Sequence, residues 1–140
     1  MALQWSKEIG KTTYTLGARY LTAGLGDPKN ETGVTLGFVH ALNDSVEIIG
    51  EIAAFNGYGG STDKATYATL GASLGNGPLT YSGAVSYRDI SSAGSTGMLT
   101  VGLDYEFDNG VTLGGGYAFT ADAGVESYQI GMSVIIPIGG

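Results

Sequence analysis

The chain has 140 residues with no Cys, one His, one Trp and 25 Gly, and 6 basic against 13 acidic side chains leave a formal charge of −7. One domain accommodates that length, disulfides and thiolate chemistry are excluded, and the sparse, scattered Lys and Arg make nucleic acid a poor partner. Charged residues are only 14% of the sequence, against about 25% in ordinary soluble domains, so a conventional solvated surface is hard to build. The 9 Tyr and 4 Phe argue against disorder.

No stretch is long and apolar enough for a membrane-spanning helix, and no basic region leads into an apolar secretory segment. The dominant pattern has period 2 in runs of about ten residues bounded by Gly, Asn, Asp and Pro. It predicts eight strands, at 12–23, 32–42, 45–55, 65–74, 79–88, 97–107, 111–121 and 126–138. Residues 1–10 alternate as Leu3, Trp5, Lys7 and Ile9. They read either as the start of the first strand, bulged at Gly10–Lys11, or as an interfacial segment anchored by Trp5. A ninth spanning strand is not expected, because bacterial single-chain barrels have even strand numbers.

The predicted connections alternate in length. Long or medium ones fall at 24–31, 56–64, 89–96 and 122–125, and tight turns at 43–44, 75–78 and 108–110. Asn-Asp and Asp-Asn-Gly suit hairpin turns because these residues tolerate positive φ.

Sorting each run by parity gives two faces. One carries Tyr14, Leu16, Tyr20, Val34, Leu36, Phe38, Leu79, Tyr81, Val85, Tyr87, Leu99, Val101, Leu103, Tyr105, Phe107, Leu113, Tyr117, Phe119, Tyr128, Ile130 and Val134. The other is Gly, Ser, Thr and Ala with a few charges. A soluble barrel would turn the apolar face inward. A transmembrane barrel turns it to lipid between aromatic girdles, here Tyr14, Tyr20, Tyr81, Tyr87, Tyr105, Phe107, Tyr117, Phe119 and Tyr128. Low charge content and aromatic placement favour the membrane arrangement. The third predicted strand is ambiguous, since Val46, Ile48 and Ile52 oppose Glu47, Ile49, Glu51 and Phe55. In six strands an outward apolar residue precedes an inward glycine, at Gly17, Gly37, Gly71, Gly102, Gly114 and Gly131, a placement that relieves curvature and crowding in a narrow barrel.

Over residues 12–138 this architecture resembles the small eight-stranded outer-membrane barrels of the OmpA and OmpX type. The end of the chain, Gln129-x-Gly131-x-x-Val134-x-Ile136, is similar to the terminal assembly signal of outer-membrane proteins, but it lacks a final aromatic and continues to Gly140. That departure, with the regular turns and repeated glycines, is also what a designed membrane barrel would show; natural, truncated from a larger porin and designed all stay open at this level. The resemblance implies an all-β, antiparallel up-and-down eight-stranded transmembrane barrel, monomeric, in the outer membrane, with lipid or detergent as its partner.

No catalytic set or cofactor site is expected. The sole base, His40, falls on the lipid side near the tight-turn end, no His/Cys metal site can be assembled, and the Gly-rich runs lack phosphate-loop context. The candidate functional groups are lumen charges: Arg19 and Arg88 near the long-loop end, Glu51 midway, and Glu47, Asp104 and Glu106 near the tight turns. They predict an axially polarised interior, either a hydrogen-bonded plug or a narrow conduit for small ions and water whose acidic end favours cations. Two alternatives remain at this level. One is a soluble calycin-like barrel holding an apolar ligand, and the other is adhesion through loops presenting Tyr58, Asp27, Asp63 and Asp122.

Overall fold

The computed structural model describes every residue except Asp27, Ala123 and 138–140. The predicted loop acid Asp27 and the predicted end of the last strand at 138 therefore lie outside the described residues. Nine strands form one sheet: β1 (Ala2–Ile9), β2 (Thr12–Leu21), β3 (Glu31–Ala41), β4 (Val46–Asn56), β5 (Lys64–Asn76), β6 (Leu79–Ile90), β7 (Gly94–Glu106), β8 (Thr112–Asp122) and β9 (Val125–Ile135). Their spatial order is their chain order, and every neighbouring pair is antiparallel.

The count corrects the expected eight. Residues 2–9 pair with β2 along their whole length, from Ala2 opposite Arg19 to Ile9 opposite Thr12. Gly10, at φ 63, is the hairpin turn and not a bulge. The even-number rule misled because it describes closed barrels. Here, among the described residues, β1 and β9 are the two edges of the sheet and do not pair with each other.

Two connections expected to be long or medium are short. β6 and β7 pair out to Ile90 opposite Gly94, leaving only residues 91–93, and β8 and β9 pair out to Asp122 opposite Val125. Asp89, Ser95, Thr96 and Asp122 belong to strand ends and not to loops. The long connections that remain are 22–30 and 57–63, the latter with a 3-10 turn at Tyr58–Gly60. At the opposite end, the Asn43 side-chain oxygen accepts from the Ser45 and Val46 amides, and Asn109 accepts from Val111. These local bonds offer the backbone a turn in place of further ladder.

Pairing register settles the third predicted strand, which is β4. Leu36 stands opposite Ile52, and Gly37 opposite Glu51. Directly opposed residues share a face, so Ile48 and Ile52 join the apolar side, while Glu47, Ile49, Glu51 and Phe55 join the small polar one. The apolar side is bare: Leu16, Leu36, Leu70, Val85, Leu103 and Leu113 are all exposed, and the only buried hydrophobic residues among those described are Ala53 and Ala65. The backbone ladder, and not a side-chain core, holds these strands together.

Candidate site on the small polar face

Register places all six predicted charges on the small face. Arg19 pairs with Gly33, Glu47 with Ser73 and Glu51 with Thr69, Arg88 with Thr96 and Asp104 with Thr80, and Glu106 with Thr112. The predicted glycines share it: Gly17 and Gly37, Gly71, Gly102, and Gly114 and Gly131. Glu8, opposite Thr13, adds a further acid at the tight-turn end.

The charges are not arranged as a simple positive end and negative end. Arg19 Nε lies 2.9 Å from Glu31 Oε1, and Arg88 lies 4.0 Å from Asp122 while donating to Thr96 Oγ1. Each arginine at the long-loop end thus has a carboxylate beside it. No ion pair forms at the acids of the tight-turn end among the described residues, so that end carries the uncompensated negative charge.

Glu31 is the residue that sequence reading missed. Its side chain is only 5% exposed. Oε2 accepts the Gly59 amide at 2.7 Å, and Oε1 meets Arg19 as an ion pair without a well-aligned hydrogen bond. Gly59 belongs to the 57–63 connection, which therefore folds back over the small face. Tyr58 confirms the direction: its ring centroid lies 5.9 Å from those of Phe55 and Tyr67, and both of those side chains stand on that face, Phe55 opposite Ala65 and Tyr67 opposite Ala53. Phe55 and Tyr67 are themselves edge to face at 5.7 Å. Asp63 closes the arrangement by accepting from Ser61, Ser91 and Ser92, with the Ser92 and then the Ser91 bond chiefly responsible for holding its carboxyl below the usual range. Tyr67, two residues before Thr69 in the same parity, and Phe55, in the parity of Glu47 and Glu51, are the legible signs that aromatics also line this side.

Open recesses follow the small face from edge to edge. One of about 470 Å³ is bordered by Gln4, Thr15, Arg19, Thr35, Glu51 and Phe55. Another of about 350 Å³ lies among Tyr67, Thr69, Ser86, Arg88, Met98 and Thr120. A third, of about 440 Å³, is floored by Gly102, Gly116, Gly131, Gln129 and Asp104. Thr, Ser and carboxylate groups in these recesses offer hydrogen bonds to water and small ions, whereas the described residues include no group of three or more His, Cys, Asp or Glu positioned for a metal.

On the apolar face His40 stands opposite Ile48, with Nδ1 2.7 Å from Thr12 Oγ1. The predicted aromatic positions share that face in register: Tyr14 with Phe38, Tyr81 with Leu103 and Tyr105 with Leu79, and Tyr117 with Ile130 and Phe119 with Tyr128. Tyr20 and Tyr87 lie toward the long-loop end. Phe107, just past β7, packs on Tyr105 at 4.7 Å.

Comparison with solved structures gives a porin at TM-score 0.70 and 16% identity, covering 94% of this chain and 49% of that one. The fold is porin-like. At that identity the likeness concerns the fold alone, and the chain spans about half the porin's length. What the likeness bears out is the all-β, antiparallel up-and-down sheet, with nine strands in place of the expected eight. No family model and no curated protein matches the sequence.

Proposed function

We propose that this chain is a non-catalytic wall of an outer-membrane channel, its apolar face against lipid and its small face lining a narrow aqueous path that favours small cations. The observation that carries the reading is the separation of faces through all nine strands, joined to the porin-like fold. Leu, Val, Ile and Tyr side chains lie bare on one side, where water would disfavour them and hydrocarbon would not. The small face is mostly Gly, Ser, Thr and Ala with the charged residues, interrupted by Ile49, Phe55, Tyr67 and Met98, and carries recesses bordered by polar side chains.

Such a wall must close, since unpaired backbone groups are not tolerated in hydrocarbon. β1 and β9 both run from the long-loop end to the tight-turn end, so joining them would create the sheet's first parallel pair. All-antiparallel closure takes an odd number of strands in addition to these nine.

Planar-bilayer recording of purified protein in lipid tests the proposal. Discrete cation-favouring steps are expected. Silence at low and high salt would leave a membrane scaffold, and a monodisperse protein in detergent-free buffer would overturn the membrane reading altogether.

A further inference from the structure

Glu31 is the only buried charged residue among those described. Removing a carboxylate from water is costly unless its partners compensate, and here those partners come from two different parts of the chain. Arg19, on β2, meets one oxygen. The Gly59 amide, in the 57–63 connection, donates to the other. A strand-end carboxylate therefore binds a backbone segment to the sheet wall.

The remaining contacts of that segment show how it is seated. The Lys29 amide donates to the Gly60 carbonyl, and the Gly57 and Tyr58 amides donate to the Asp63 carbonyl. Gly57, at φ 71, is pressed so closely on the Asn30 carbonyl that a side chain there would collide with it. Tyr58 completes the aromatic cluster with Phe55 and Tyr67 over the small face. The backbone bonds at 57, 58 and 60 shape the turn and tether it to residue 29. Asp63, at the segment's far end, is held separately by Ser91 and Ser92, and among the described residues the Gly59 amide is held by Glu31 alone.

We propose that Glu31 is a clasp that holds residues 57–63 over the small face, so that the segment and the Tyr58 ring set the bore at the long-loop end. Arg19 is the positioning residue for the clasp, fixing the carboxylate on the wall. The inference rests on the channel reading, and its test separates the two.

Glu31→Gln keeps the side chain's shape while removing its charge, so the bonds to Arg19 and Gly59 both weaken. Wild type and variant in lipid vesicles are compared by amide hydrogen exchange and by protease cutting within 57–63. A lost charge-assisted bond predicts exchange at Gly59 faster by about tenfold or more, earlier cutting, and unchanged exchange at the Ser45 and Val46 amides, which bond to Asn43 at the opposite end of the sheet. Arg19→Gln should move the same amides in the same direction. Unchanged exchange at Gly59 in both variants overturns the clasp, whether or not the protein conducts. Single-channel conductance is then read on the same samples and is expected to rise in Glu31→Gln. Faster exchange with unaltered conductance of a working pore overturns the bore assignment. Faster exchange with neither protein conducting supports the clasp and counts against the channel reading instead.

Discussion

The ring of Phe55 lies over Gly33, its direct partner in the β3–β4 ladder, and fills the space that a Cβ on that glycine would occupy. Phe38 covers Gly50 in the same ladder from the opposite face. Each aromatic shields a backbone that glycine leaves uncovered, and each glycine lets its aromatic lie flat on the sheet.

These pairs predict non-additive substitutions. Gly33→Ala should destabilise the protein by about 1–3 kcal/mol, the usual cost of overpacking, because the Phe55 ring must leave its contacts with Tyr58 and Tyr67. Combining Gly33→Ala with Phe55→Ala should cost less than the sum of the two single changes. Urea unfolding in lipid vesicles measures the cycle, and strict additivity would show that the ring and glycine are not coupled.

Adjacent residues in β9 separate the two faces most directly. Ile130 is 84% exposed on the apolar side, and Gln129 is exposed on the small side. Arginine at a lipid-facing midplane position costs about 2–4 kcal/mol, so Ile130→Arg should lower vesicle-embedded stability by that amount, whereas Gln129→Arg should change it by under about 0.5 kcal/mol. Equal losses would show that the faces do not meet different solvents.

Asp63 gives the long-loop end a dependence on pH. Hydrogen bonds from Ser92, Ser91 and Ser61 favour its ionised form and lower its pKa in the folded protein. A depressed carboxyl pKa contributes stability that is fully present above the unfolded value of about 4 and is lost as pH falls through the folded value. The thermal midpoint should therefore drop in acid partly through Asp63, and Asp63→Asn should flatten that part of the profile while lowering stability at neutral pH. An unchanged acid limb in the variant would remove Asp63 as a contributor.

Much of this sheet was written in the period-2 alternation. Tyr14, Leu16 and Ala18 fix the faces of β2 by themselves, and the Asn-Asp and Asp-Asn-Gly turns mark where the chain reverses. β1 carried the same signal in Leu3, Trp5, Lys7 and Ile9, but a rule about whole barrels outweighed the local pattern, and the local pattern was right. The Glu31 clasp was not legible because its partners, Arg19 and Gly59, stand 12 and 28 residues away and meet only once β2, β3 and the 57–63 turn are in place. The aromatic cluster was hidden for a related reason: Tyr67 follows small-face parity, yet an inward tyrosine becomes meaningful only when Tyr58 folds back to meet it.

The pairing of both arginines sharpens the expected ion preference. With Arg19 beside Glu31 and Arg88 near Asp122, the long-loop end is close to charge balance, while Glu8, Glu47, Glu51, Asp104 and Glu106 leave the rest of the small face acidic. An acidic lining raises local cation concentration, and the effect weakens as salt screens it. Glu51→Gln with Asp104→Asn should therefore move the reversal potential toward zero in a KCl gradient, with the largest shift at low salt. Arg88→Gln should move it the other way, because Asp122 loses its neighbouring cation. If the double variant kept the wild-type reversal potential at low salt, these carboxylates would not face the conducting path.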